Sequence, residues 1–185
     1  MIGFDQDSLY GHWSTRGTML YLHLRLAVDP EADIGELRRE NFAAFGPAAD
    51  HVERYFDEWE EYAQDRPGGA LATPVNAAIA YPAEVFSPAQ RILDEAMEAA
   101  RPDYARCVAF LEVGLEHARL TARFIGLLNR GRAPDDAEPL AEARAALNEL
   151  IAFRLEHESM YIADYIDASR RENRWLDIDG LLSDE

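Results

Sequence analysis

The sequence contains no lysine, because arginine supplies all 18 of its basic residues. Chemistry that depends on a lysine side chain is therefore excluded, including Schiff-base catalysis, a Walker-type phosphate loop and a serine–lysine pair. The sequence also lacks a nucleophile elbow and a Cys/His catalytic signature. These absences remove several large enzyme classes from consideration.

Cysteine is nearly absent too: Cys107 is the only one, so the chain cannot form an internal disulfide. This residue stands among apolar residues in a helical pattern, where a free cysteine behaves as a small hydrophobic side chain. We therefore expect Cys107 to be buried and inert rather than a reactive thiol.

Basic residues are few beside 35 acidic ones, which gives a formal net charge of -17 at pH 7. Such a surface repels nucleic acid phosphates and anionic membranes, so we expect neither as a partner. No apolar run approaches the roughly 18–20 residues of a membrane span, and the N-terminus shows no signal-peptide pattern. Localisation stays open, with the cytoplasm as the default expectation.

Hydrophobic residues make up 48% of the 185 residues, which predicts one globular domain with its own core. Asp33 and Glu36 together predict a capped helix start, and Gly46 suits the left-handed residue that ends that helix. Pro47 then begins the next helix. That helix has one aromatic face, formed by Val52, Tyr55, Phe56, Trp59 and Tyr62.

The second half of the chain has the pattern of two long helices. Residues 67–86 are predicted to be a loop, and "SPAQ" at 87–90 predicts a helix start with Ser87 as its cap. A narrow packing seam follows at Val108, Leu111, Leu115, Ala118, Ala122 and Ile125. After a predicted turn at 129–136, the last helix is predicted at 139–172. Its apolar stripe consists of Leu140, Leu147, Ile151, Leu155, Ile162 and Ile166.

These patterns predict a mainly α fold, an antiparallel bundle of about five or six helices after a short extended or irregular N-terminal segment. The long helices, at about 103–129 and 139–172, are expected to form its central hairpin. Residues 18–28 alternate as in a strand, whereas their Leu-rich composition favours helix, and the pattern alone leaves both open. We place an N-terminal segment at 1–17, the helical domain at 18–172 and an acidic tail at 173–185.

The sequence offers no convincing metal site. Helical bundles can hold di-iron centres through Glu-x-x-His pairs, but no histidine here has a glutamate three residues before it. "LEH" occurs twice, at 115–117 and 155–157, yet adjacent residues on a helix point about 100° apart and converge poorly. We expect these pairs to be solvated or interhelical polar residues, and we predict no metal and no cofactor.

The opening stretch "GFDQDSLYGHWSTRG", residues 3–17, is the part of the chain with the most chemical side chains. Asp5 and Asp7 would share one face of a strand, a spacing that suits glycoside hydrolysis in principle, although turn formation is the more common role. We assign no catalytic residue. The aromatic rings of this stretch can stack on a sugar, and its polar groups lie beside them. The predicted substrate-binding residues are therefore Tyr10, His12, Trp13 and Arg16.

The order of residues resembles a known family. The segments "GFDQDSLYGHWSTRGTMLYLHLRLAVDPEADIGEL", "FAAFGPAADHVERYFDEWE" and "ARCVAFLEVGLEHARL" are similar to the domain-of-unknown-function 4838 family, over about residues 3–128. That family is similar to glycoside hydrolases of the α-glucuronidase type. The main markers of the resemblance are Asp7, Ser8, Leu9, Gly11, Trp13, Gly17, Tyr21, Arg25 and "FGPAA" at 45–49.

The resemblance implies a (β/α)₈ barrel followed by a helical region. Residues 3–12 would be the last barrel strand and its loop, and 18–28 the helix after it. The predicted site residues would then lie on the rim of a sugar-binding cleft, because active sites lie at the C-terminal ends of barrel strands. The other barrel strands, including those that would carry the acid pair, are missing. We therefore expect this chain alone not to hydrolyse a glycoside.

Three hypotheses follow. The first is a helical C-terminal region of a glycoside-hydrolase-like protein, with a structural or carbohydrate-rim role and no complete active site; its partners are a carbohydrate and the missing barrel. The second is a stand-alone helical interaction module that pairs with a second copy. The third is an independent enzyme that uses Asp5, Asp7 or the "LEH" pairs. The first predicts an exposed apolar patch near residues 3–28, and the second predicts that a symmetric partner covers it.

Overall fold

The computed structural model describes residues 13–65, 77–131, 138–176 and 178, and all regular structure in these ranges is helical. The predicted mainly α fold is therefore confirmed. The described helices are α1 (Trp13–Val28), α2 (Ile34–Ala43), α3 (Ala49–Asp65), α4 (Ala77–Ala80), α5 (Phe86–Ala99), α6 (Pro102–Gly131), α7 (Glu138–Glu156) and α8 (Tyr165–Leu176). They outnumber the predicted five or six, because one predicted helix is split and α4 lies within a predicted loop.

Local signals correctly predict the α2–α3 region. The Asp33 carboxylate accepts a hydrogen bond from the backbone N–H of Glu36 at 2.8 Å, which caps α2. Gly46 has the expected left-handed conformation, with a φ of 58°, but α2 already ends at Ala43, so Gly46 does not end that helix as predicted. Pro47 lies in a short 3₁₀ turn, Gly46–Ala48, that leads into α3.

The aromatic face of α3 is confirmed, and it forms part of a first core with α2, α5 and the first half of α6. Val52 and Tyr55 are fully buried in it. Trp59 makes edge-on ring contacts with Phe86 of α5, at 5.8 Å between centroids, and with Tyr81, at 6.2 Å. These rings fix α3 against the segment that precedes α5.

The predicted pairing of the two longest helical segments is also seen. Arg123 in α6 forms an ion pair with Glu149 in α7 at 2.6 Å. His117, earlier in α6, accepts a hydrogen bond from Arg154, later in α7, so α6 and α7 are antiparallel. Their contact is a second core, which also buries Leu176 and Ile178. The predicted seam of α6 is buried at every position except Ala118, which is half-buried.

The segment 18–28 is helical throughout, as the resemblance implies, and α1 begins earlier, at Trp13. This helix packs against α2 and α6. Among the described residues, no helix is both long enough and apolar enough to cross a bilayer.

The prediction of one helix over 139–172 is wrong. α7 ends at Glu156, and α8 begins at Tyr165 after a 3₁₀ turn and a left-handed residue, Tyr161, with a φ of 54°. The Asp164 carboxylate accepts the backbone N–H of Asp167 and caps the new helix. The predicted stripe does not share one buried face. Within α7 the buried face is Ala143, Ala146, Leu147 and Leu150, so Ile151 and Leu155 are exposed; beyond the break Ile162 is buried and Ile166 is exposed.

Two predicted local features are also wrong. Ser87 does not cap α5, because the chain already turns at Ala83–Val85 and the helix begins at Phe86. Pro88 then lies in the first turn, where its missing N–H removes no helical hydrogen bond. Cys107 is exposed rather than buried. Val108, about 100° further round the helix, takes the buried position instead.

Residues 129–131 of the predicted turn belong to α6, and 132–137 lie outside the described residues. The predicted tail begins within α8, whose last residue is Leu176.

Candidate functional site

The predicted site falls on the first turn of α1. Trp13 and Arg16 lie three residues apart, so they share one side of the helix, and both are exposed. Tyr10 and His12, like Asp5 and Asp7, lie outside the described residues. The structure thus brings two of the four predicted site residues together at a helix end.

Three contacts attach α1 to the rest of the fold. The backbone N–H of Ser14 donates to the carbonyl oxygen of Ile162 at 3.3 Å. The Asn41 amide donates to the Thr18 hydroxyl at 3.1 Å. Arg25 donates to both carboxylate oxygens of Glu40 at 2.7 Å. These hydrogen bonds act together with the burial of Leu20 and the close approach of Ser14 to Gly114 in holding α1 against the fold.

An apolar stripe on α1 is mostly uncovered. We call Trp13, Leu20, Leu24 and Val28 the α1 stripe, since their spacings of seven, four and four place them on one helix face. Leu20 is buried, but Trp13, Leu24 and Val28 are 42%, 60% and 83% exposed. The exposed apolar residues therefore lie at the two ends of the stripe, and exposed apolar groups such as Leu24 and Val28, one helical turn apart, are typical of an interaction surface.

Behind the first turn of α1 lies a partly open pocket, which we call the aromatic cavity, with a volume of about 410 Å³. One wall consists of aromatic side chains from α3, from α5 and from the segment between α4 and α5: Tyr55, Phe56, Trp59, Tyr81 and Phe86. The opposite wall is α6, which presents the small residues Gly114, Ala118 and Ala122 at intervals of four. Sequence reasoning identified the aromatic face but not the cavity, because the cavity depends on how α3 and α6 are placed.

The polar groups of the cavity cluster near the start of α1 and the middle of α6. They are Ser14, Thr15, His117 and Thr121. The Thr121 hydroxyl donates to the backbone carbonyl of His117 at 2.8 Å. His117 Nε2 accepts a hydrogen bond from Arg154 Nε at 3.0 Å, so this nitrogen is unprotonated and the ring is neutral.

Beside the cavity, a buried ion pair joins α7 to α8. The Arg154 guanidinium donates to both carboxylate oxygens of Glu172, at 2.6 and 2.7 Å. The two side chains are only 6% and 9% exposed. Because Arg154 also donates to His117 and to the Ser169 hydroxyl, its charge is fully enclosed by hydrogen-bond acceptors.

A larger groove of about 1070 Å³ runs along α6 next to α4 and the start of α5. Two of its three arginines are engaged: Arg119 pairs with Glu116, and Arg123 pairs with Glu149, while Arg130 also lines the groove. The groove therefore offers paired surface charges, whereas the aromatic cavity offers an apolar interior with a polar end.

The "LEH" pairs do not converge. Glu116 binds Arg119 and His117 binds Arg154, so both are polar residues with protein partners, and His117 is interhelical. His157 packs on Phe153 at 4.4 Å between ring centroids. Within the described ranges, no three His, Cys, Asp or Glu side chains are grouped closely enough to hold a metal ion.

Burial of Tyr55 in the cavity wall raises the pKa of its phenol to about 12. Unfolding returns the phenol to water, where its pKa is about 10. The folded state therefore binds more protons between these values, so stability should fall as the pH rises through this window. We expect a loss of about 2 kcal/mol in the free energy of unfolding between about pH 9 and about pH 11.5.

Urea denaturation across this pH range measures the loss, and Tyr55→Phe is the control, since it keeps the ring and removes the titrating group. The variant should lose about 2 kcal/mol less than the parent over the same window. Equal losses in the two proteins would contradict the assignment. Lysine titration cannot obscure the result, because the chain has none.

No protein-family model, no curated protein and no solved structure matches this chain.

Proposed function

We propose that the chain is the helical region of a glycoside-hydrolase-like protein, which packs against a (β/α)₈ barrel and contributes to the rim of its carbohydrate site. It carries no complete active site in this proposal. The observation that supports it most is the exposure of Trp13, Leu24 and Val28 on the α1 stripe, since this hypothesis calls for exposed apolar residues in this part of the chain.

A barrel is a suitable partner to pack on the α1 stripe and cover it. In the resemblance, α1 follows the last barrel strand, and helices in that position bury one face on the barrel. Leu24 and Val28 are both more than half exposed. Burying a side chain of this size contributes about 1.5–3 kcal/mol, so the stripe can hold α1 firmly against such a partner.

Trp13 and Arg16 then supply the rim. An indole ring can stack on the apolar face of a sugar, and a guanidinium can donate several hydrogen bonds to hydroxyl groups. Both side chains are exposed on the same side of the first turn. Their spacing of three residues on one helix supports a shared role of the two side chains toward one sugar ring.

Titration with neutral and acidic oligosaccharides, followed by NMR shifts of the α1 amides, tests the proposal. We expect weak binding that Trp13→Ala lowers by between about twofold and tenfold, since an aromatic contact contributes about 0.5–1.5 kcal/mol. Val28→Ala is the matched control, because Val28 belongs to the same stripe but lies at the other end of the helix. Identical affinities for the parent and Trp13→Ala would contradict a rim role.

The alternative is a stand-alone module that pairs with a second copy through the same stripe. Sedimentation velocity separates the two, since a dimer that Leu24→Glu dissociates would favour the alternative. Hydrolysis of an aryl glycoside by the purified chain, lost in Asp7→Asn, would show instead that the chain has a complete active site.

A further inference from the structure

We infer that the aromatic cavity binds a small, flat, uncharged ring compound that carries one hydroxyl or carbonyl group. This site is distinct from the proposed sugar rim, because Trp13 and Arg16 are exposed on the outside of α1 while the cavity lies behind it. The inference therefore does not rest on the proposed function.

The size of the cavity is the first argument. Protein interiors are close-packed, and voids much larger than a water molecule are few. At about 410 Å³ this space falls within the range of pockets that bind small molecules. It is bounded by four elements, α1, α3, α4 and α6, and by the start of α5.

The shape of the walls selects a flat molecule. Trp59 is held in edge-on contacts by Tyr55, Tyr62, Tyr81 and Phe86, with interplanar angles between 62° and 87°. These contacts fix the ring, so the aromatic wall is already formed without a ligand. Opposite it, α6 contributes three small residues, Gly114, Ala118 and Ala122, together with Leu115, His117 and Thr121. The slot between the rigid aromatic wall and the small residues of α6 suits a planar ring system.

The polarity of the lining selects an uncharged molecule with one polar group. No Asp, Glu, Lys or Arg lines the cavity among the described residues, and the nearby Arg154 is engaged by Glu172, His117 and Ser169. A buried ionic ligand would thus lack a counter-charge. The Ser14 side chain is buried in the lining, and its hydroxyl makes no hydrogen bond within the described part of the chain. That hydroxyl is the expected partner of the ligand's polar group.

Isothermal titration calorimetry with three naphthalene probes tests the inference. We expect 2-naphthol to bind with a Kd on the order of 10 µM, and naphthalene about tenfold more weakly, because one hydrogen bond is lost. The charged 2-naphthoate should bind more weakly than naphthalene. Ser14→Ala should weaken the binding of 2-naphthol to that of naphthalene and leave the binding of naphthalene unchanged. General destabilisation of the protein would weaken the binding of both probes.

A second variant tests the location. Ala118→Phe places a ring inside the slot, and we expect it to weaken 2-naphthol by about 100-fold or more. Ala145→Phe, on an exposed position of α7, is the matched control and should bind like the parent. If Ala118→Phe fails to fold, NOEs from 2-naphthol to the Trp59 indole give the location directly. The inference is overturned if no probe binds, if 2-naphthoate binds as well as 2-naphthol, or if the NOEs lie elsewhere.

Discussion

Replacing Glu172 with glutamine is expected to lower the free energy of unfolding by about 3–5 kcal/mol. Glutamine has nearly the same shape as glutamate, so the change removes the charge and leaves the packing in place. The Arg154 guanidinium would then stay buried without its counter-charge. His117 and Ser169 remain as neutral hydrogen-bond partners, but they cannot balance a full positive charge.

The chain provides a matched control in a second Arg–Glu pair. Arg123 and Glu149 are also 2.6 Å apart, but their side chains are 52% and 50% exposed. Water screens such a pair, and Glu149→Gln should cost less than about 1 kcal/mol. Urea denaturation of the two variants measures the difference, and equal losses would contradict the role of burial.

A double replacement distinguishes two contributions of the pair to stability: the balance of charge and the hydrogen bonds that join α7 to α8. Removing both partners, as in Arg154→Met with Glu172→Met, leaves no unpaired buried charge, and apolar replacements of buried pairs are often tolerated. We expect the double variant to be more stable than Glu172→Gln alone. If the double variant is the less stable of the two, the pair contributes through its hydrogen bonds more than through charge balance.

The same pair shows why part of the fold was not predictable from the sequence. On an unbroken helix over 139–172, Arg154 and Glu172 would lie about 27 Å apart, since each residue advances the helix by about 1.5 Å. Their contact exists only because the chain turns at Tyr161 and restarts at Asp164. Asp164 and Asp167 carried a capping signal for this restart, but an apolar stripe that continued across it favoured a single helix.

Signals that act between near neighbours were more informative. The capping by Asp33 and the left-handed Gly46 depend on residues within one turn, so the pattern alone predicted them. The candidate site also has one part that local spacing predicts and one part that depends on how distant helices are placed. Trp13 and Arg16 share a side because of their spacing, whereas the aromatic cavity needs α3 and α6 to meet and could not be predicted. The prediction that Cys107 is buried is wrong because, at this turn of α6, the adjacent Val108 faces the core instead.

Gly114→Ala is expected to destabilise the protein by about 3 kcal/mol, at the upper end of the cost of overpacking. A Cβ at this position would overlap both Cβ and Oγ of Ser14, where α1 crosses α6. Rotation about χ1 can move Oγ away, but Cβ is fixed to the backbone, so α1 itself must move. The movement would also shift Trp13 and Arg16, the proposed sugar rim, and disturb the polar end of the cavity.

A double-mutant cycle separates this overlap from a change in helix propensity. Gly17→Ala, in the middle of α1, meets nothing within 4 Å and should stabilise the protein by about 0.5–1 kcal/mol. Ser14→Gly removes the atoms that Gly114→Ala would meet, at a cost of about 1 kcal/mol in helix propensity. Independent effects would add to a loss of about 4 kcal/mol, whereas we expect the double variant Ser14→Gly with Gly114→Ala to lose about 2 kcal/mol, a favourable coupling of about 2 kcal/mol. The double variant should therefore be about 1 kcal/mol more stable than Gly114→Ala alone. Additive losses in this cycle would mean that the close approach of α1 to α6 does not set the position of the first turn.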